Sequence, residues 1–199
     1  MAIVSWWNQA LEALSGETYF LEARRKTEGQ GLVACENLFN TYVRAVCGQQ
    51  VNTAVAEKMA LAVFGFAGDK GDNAAVVLAE SSVETLRALG LSQAKAGALV
   101  AIAQKYVEGS FTAQALESLD DTAVRSRLTA VKGVGPWTAD MVLIFGLNRP
   151  DVWAQTDFGL RKALEITGLG AKDPLTWAPW RTAATWLLWQ RLTSTPVQY

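Results

Sequence analysis

Helical spacing is what most constrains this chain. Apolar residues return at three- and four-residue intervals along most of it, and no segment sustains the two-residue alternation of a strand. Trp7, Ala10, Leu11 and Leu14 share one face, so the chain is expected to begin directly in helix. Phe39, Tyr42, Val43 and Val46 share a face of a second helix, expected from about Glu36 to Cys47 and ended by Gly48-Gln49-Gln50. A third is expected from Val51, with Val55, Met59 and Ala62 inward. Residues 65–72 carry three glycines and two aspartates around Lys70 and read as a loop.

Ser82 and Ser92 then read as N-caps. The second of them starts a helix with Ala96, Leu99, Val100, Ala103, Tyr106 and Val107 at helical spacing. After a short piece at 116–119, Asp121 is expected to open a helix with Val124, Leu128 and Val131 buried. Gly133-Val134-Gly135 breaks that run, and a helix is expected from Pro136 to about Gly146. Asp157 opens another, to about Thr167. A last helix is expected near 179–192, with Trp180, Trp186 and Trp189 on it. The fold class expected is all-α, with nine or ten helices and no repeat of fixed period.

Composition narrows the chemistry. With 199 residues and 50% hydrophobic content the chain can bury a core as one domain or two lobes. No apolar run approaches the ~18 residues of a bilayer span, and the acidic first segment is unlike a signal peptide, so the cytoplasm is the default compartment. Two cysteines, Cys35 and Cys47, make neither a disulfide framework nor a four-cysteine metal site, and no metal is expected. There is no histidine, which removes Ser-His-Asp triads, histidine-ligated metals and histidine bases together. A net charge of −1 counts against indiscriminate nucleic-acid binding and leaves room only for a local basic face.

Lys132-Gly133-Val134-Gly135-Pro136 has the parts of such a face. Two glycines permit positive φ or a close backbone approach, and proline suits a first helical turn. The N–H groups of a hairpin and helix start suit phosphate and read no base sequence. Arg125, Arg127, Lys132 and Arg149 lie near it in sequence. A plain helix–helix turn with a glycine C-cap explains the same residues. Asp157 is equally an ordinary N-cap. The helix dipole there also helps keep a carboxylate ionised, which glycosidic bond cleavage requires beside developing positive charge. Trp137 and Met141 share a helix face, and Thr182, Thr185, Trp186 and Trp189 are expected to form a face of mixed polarity. Aromatic walls can stack on a base, most strongly a cationic one.

Taken in order, residues 42–51 (Tyr-Val-Arg-Ala-Val-Cys-Gly-Gln-Gln-Val), 86–95 (Leu-Arg-Ala-Leu-Gly-Leu-Ser-Gln-Ala-Lys), 128–139, 157–164 and Trp180-Arg181 resemble the helix-hairpin-helix (HhH-GPD) DNA glycosylases, of the 3-methyladenine DNA glycosylase II type. The likeness runs from about Leu38 to Trp189. It implies two helical lobes with an active-site cleft between them: a middle lobe at 31–148 holding the helix-hairpin-helix (about 121–147), and a second combining 1–30 with 149–199. It implies an enzyme of base excision repair that flips an alkylated purine, 3-methyladenine or 7-methylguanine, out of double-stranded DNA and hydrolyses its N-glycosidic bond. By matching, Asp157 is the catalytic carboxylate. Trp137, Met141 and Trp189 line the base pocket. Lys132, Gly133, Val134, Gly135 and Thr138 hold the backbone, and Gln50 fills the gap left by the flipped nucleotide.

Relatives that also nick the strand carry a lysine where Trp137 stands, so the resemblance implies a monofunctional hydrolase without lyase activity. No cofactor is required, although some relatives hold a structural monovalent cation through hairpin carbonyls. The partner implied is damaged duplex DNA, bound by a monomer, in the bacterial nucleoid or a eukaryotic nucleus. Thr156 stands where close relatives often have a second acid, and Met141 replaces a pocket aromatic, which leaves base specificity open. The acidic pI points to modest affinity with a steep salt dependence. Two alternatives remain at this point: a non-catalytic helix-hairpin-helix module that binds DNA structure, and a glycosylase for hypoxanthine or uracil.

Overall fold

Side-chain caps set most helix starts in the computed structural model, which describes residues 2–27, 29–68 and 70–192. Twelve α-helices occur among those residues: α1 Trp7–Ala13, α2 Thr18–Lys26, α3 Leu38–Gly48, α4 Thr53–Ala67, α5 Asp72–Ala79, α6 Val83–Ala88, α7 Gln93–Val107, α8 Ala113–Glu117, α9 Asp121–Thr129, α10 Pro136–Met141, α11 Phe158–Thr167 and α12 Arg181–Trp189. Asn37, Asn52, Ser82, Ser92, Thr112, Asp120 and Asp157 each accept a backbone N–H from the first turn they precede. Each satisfies donors that a helix leaves orphaned. The only β-type pairing among the described residues is one antiparallel bridge, Ile3 with Val33. The fold is all-α.

Three details depart from the pattern expected of the sequence. Helix α4 starts at Thr53 under an Asn52 cap and turns Ala60, Val63 and Phe64 inward, while Val55 stays 39% exposed. That helix is apolar nearly all round, so periodicity offers little contrast from which to choose a face. It also runs on to Ala67 before Gly68, at φ +73°, closes it, and α5 begins at Asp72. Gly65 lies inside α4, with nothing within 4 Å of its Cβ position, and the expected loop shrinks to a few residues. Finally, α12 is buried on every side from Thr182 to Trp189, so the face that carries Thr182, Thr185, Trp186 and Trp189 is not set apart by exposure.

The chain divides into two units. Among the described residues, the terminal unit comprises those up to Ala34 and those from 148 to 192; the middle unit comprises those in Cys35–Leu147. In the terminal unit α12 is central, packed by α1, α2 and α11. Residues 32–34 stay with this unit because Val4 N–H donates to Leu32 O and Ala34 N–H to Ala2 O. Seven of the eight tryptophans lie in it. Trp186 is fully buried and meets Trp7 edge-on at 5.1 Å, and Trp6 stacks on Trp180 at 6.0 Å.

In the middle unit α7 is the platform, with α3, α5 and α6 packed against it. Tyr42 is buried on α3, and its hydroxyl donates to Phe111 O. Helix α10 continues as a π-helical turn, Val142–Gly146, in which Leu147 N–H reaches back to Val142 O at 2.9 Å. Gly146 lets this turn lie on α3: a Cβ there would sit within 2.4 Å of Leu38 Cδ1.

Candidate active site

Asp157 is built into the amino end of α11. Its Oδ1 accepts the Leu160 N–H at 2.5 Å and the Trp189 indole N–H at 2.9 Å. The carboxylate is buried to 9% exposure, Trp189 to 5%. Capping and the tryptophan contact therefore orient one oxygen from two directions, and the helix dipole adds positive potential. Gly159 completes the arrangement. A Cβ at that position would lie 3.2 Å from Asp157 Oδ1 and 3.6 Å from Trp189 Cδ1. A glycine inside a helix's first turn is costly by propensity, and that cost is the sequence signal that could have singled it out. Phe158, the first residue of α11, is 73% exposed beside the carboxylate.

The segment that leads to Asp157 is tied to α12. Arg181 donates through Nε and Nη2 to the two oxygens of Asp151, at 2.7 and 2.8 Å. Thr182, completely buried, donates its hydroxyl to Arg149 O and accepts the Val152 N–H. Burial pushes the Asp151 carboxyl up, but the hydrogen bonds and charge of Arg181 outweigh it, and the net displacement is below the ordinary 3.8. A carboxylate with a depressed pKa stabilises the fold fully above its unfolded value and loses that contribution as pH falls through the folded one. Asp151→Asn is therefore expected to cost about 1–3 kcal/mol between roughly pH 5 and 8, two hydrogen bonds to charge being weakened. The gap between variant and parent in thermal unfolding should close below pH 3.8. A gap that widened in acid would contradict the assignment.

In the middle unit, α9 and α10 flank the hairpin. Gly133 sits at φ +90°, and its Cβ position is 3.0 Å from Ala94 O and 3.2 Å from Ala98 Cβ on α7. Gly133→Ala should therefore cost at least about 1–2 kcal/mol from the left-handed backbone alone, read as a lower unfolding midpoint. Val134 is buried, and its N–H donates to Val131 O, so that group is spent inside the hairpin. Helix α10 starts without a side-chain cap, and Pro136 at its first position has no N–H. Lys132 is exposed, Gly135 and Trp137 are half-buried, and Met141 is buried on the same helix.

Thr138 is buried, and its hydroxyl accepts from the Gln49 side-chain amide at 2.8 Å; the same amide donates to Gly133 O at 2.9 Å. Gln50 follows, exposed, at φ +55°. Sequence reasoning missed Gln49, because a polar residue after a helix-ending glycine looks like solvent-facing loop.

The basic face is smaller than the sequence suggested. Arg125 Nε donates to the buried Asp140 at 2.7 Å, stapling α9 to α10, and Arg149 belongs to the terminal unit. Arg127 and Lys132 are the exposed cations of the hairpin region. No group of three or more histidine, cysteine or acidic residues suited to a metal occurs among the described residues. No described helix is long and apolar enough to cross a membrane.

A glycine hairpin between two short helices, with an aspartate capping a later helix against a buried tryptophan, defines a helix-hairpin-helix protein. The family model described as HhH-GPD superfamily base excision DNA repair protein matches residues 43–176, and the chain belongs to that family. Among curated relatives, DNA-3-methyladenine glycosylase 1 of Schizosaccharomyces pombe is 32% identical over 76% of this chain and 71% of its own length. DNA-3-methyladenine glycosylase 2 of Escherichia coli is 27% identical over 81% of this chain, which spans 60% of that protein. The solved structure of the Schizosaccharomyces pombe 3-methyladenine DNA glycosylase Mag1 in complex with abasic DNA is similar with a TM-score of 0.78, at 26% identity, over 92% of this chain and 95% of that one.

Proposed function

We propose that this protein is a monofunctional DNA glycosylase of base excision repair that releases alkylated purines, chiefly 3-methyladenine and also 7-methylguanine, from duplex DNA. The observation that carries the reading is Asp157, an N-capping carboxylate held at Oδ1 by two N–H donors. Alkylation at N3 or N7 makes the base cationic and a good leaving group, so the bond breaks without a strong general acid. The demand left on the protein is electrostatic. An anion beside the sugar stabilises the oxocarbenium-like charge that develops as the bond lengthens, and it orients the water that captures C1′. Trp189 fixes the carboxylate and Gly159 keeps the space around it clear.

The hairpin takes the second task, backbone grip without base reading, through Lys132, the glycine turn and the start of α10. Trp137, Met141 and Trp189 are assigned to the base pocket and Gln50 to the gap in the duplex. The reaction needs no cofactor, and a monovalent cation at the hairpin carbonyls would serve the grip, not the bond cleavage. The partner is damaged duplex DNA, bound by a single copy of the chain. The relatives described above carry the names of glycosylases, which does not favour a module that only binds DNA.

Absence of lyase activity is part of the proposal and rests on Trp137 standing where strand-nicking relatives carry lysine. It is tested with an end-labelled, N-methylated duplex. Strand breaks should appear only after alkali treatment, and borohydride should trap no covalent complex. Breakage without alkali would overturn it.

A further inference from the structure

Three pieces of the middle unit meet around the first turn of α7. Ala94 and Ala98 press against Gly133 so closely that a side chain there would collide. Lys95, 7% exposed, sends Nζ to Cys47 O at 2.9 Å, in the last turn of α3. A cation suits that end of a helix, where carbonyls are orphaned. Burial holds the lysine below its ordinary pKa and, despite the neighbouring Lys95 charge, pushes the Cys47 thiol up to about 12, so this thiol is packing and not a nucleophile.

The third side is closed by Gln49. Its amide donates at once to Gly133 O and Thr138 Oγ1, one acceptor in the hairpin and one in α10. The next residue, Gln50, is exposed in a left-handed conformation, φ +55°, that is strained for a non-glycine residue. Such a conformation persists where its surroundings over-determine it. Here they do: the end of α3 is fixed to α7 by Lys95, and the turn is fixed to the hairpin by Gln49.

Resting on the glycosylase reading, we propose that Gln49 is a positioning residue that locks the Gln49-Gln50 turn to the hairpin, so that the Gln50 side chain and the backbone grip act as one rigid unit when a nucleotide is unstacked. Gln49 touches neither the base nor the sugar. It acts through Gln50.

The test uses the full chain with a duplex carrying 2-aminopurine beside an abasic-site analogue, whose fluorescence rises on unstacking. Gln49→Glu is near-isosteric but cannot donate, and Gln49→Met removes the donors without adding charge. Either variant should lower kcat/KM for base release about tenfold, the effect of two lost hydrogen bonds. Each should reduce the fluorescence rise to the level of Gln50→Ala in protein that is still fully folded at the assay temperature, with the unfolding midpoint lowered only as far as two lost hydrogen bonds lower it. In a Gln50→Ala background the Gln49 substitutions should have no further effect on fluorescence. Full fluorescence in both Gln49 variants, or losses that add to that of Gln50→Ala, would overturn the proposal. Because unstacking is read without base release, failure of the parent to release base would count against the glycosylase reading and leave this result interpretable.

Discussion

Asp157→Asn should lower base release by about a thousandfold, the size of effect expected when a preorganised electrostatic group is removed from a transition state. The substitution is clean because the structure separates the two jobs of this residue. Asparagine caps a helix as well as aspartate does, and its carbonyl oxygen can still accept the Leu160 and Trp189 N–H groups that now reach Oδ1. The unfolding midpoint and the affinity for abasic-site DNA should therefore stay close to the parent's. Only the negative charge is gone. Single-turnover release from methylated duplex, measured beside thermal unfolding, checks this. Equal rates for the two proteins would remove Asp157 from the chemistry and leave it as a cap.

Trp186→Ala should do the opposite. Trp186 is fully buried on α12, edge-on to Trp7 and three residues before Trp189. Its truncation removes a large side chain from the centre of the terminal unit and should cost about 3–5 kcal/mol. For a chain of this size that is a fall of roughly 6–20 °C in Tm. Base release per folded molecule, measured well below the midpoint, should change far less. A variant that unfolds as the parent does but releases no base would place Trp186 in the site, contrary to its burial.

The two variants also mark what was legible in the sequence. Asp157 alone reads equally as an ordinary N-cap; it stood out because it falls within an ordered series of family matches, and α11 begins directly after it. The hairpin was legible for the same reason: two glycines and a proline punctuate strongly. Core tryptophans were harder to sort. Trp186 and Trp189 have one chemistry and neighbouring positions on one helix, and only packing assigns one to the interior and brings the other to the carboxylate.

Helix faces failed where contrast failed. The apolar stretch of α4 carries no polar stripe to set a phase, so the expected inward face is the wrong one, and its end at 65–67 reads as loop because of the glycines. Long-range polar contacts had no sequence signal at all. Gln49 reaches Gly133 across 84 positions, and Arg181 reaches Asp151 across 30. Such pairs exist only once the chain has folded. Arg125 was misread in the same way, as part of a basic face, when its guanidinium is committed to Asp140.

The measurement that bears most directly on the whole account is the identity of the free base released when the protein is incubated with a methylated duplex. Chromatography with mass detection should find 3-methyladenine, with 7-methylguanine following more slowly, and with Asp157→Asn both should stay close to the protein-free background over the same interval. Tight binding to the same duplex with no base released, or release confined to uncharged lesions such as uracil or hypoxanthine, would contradict it.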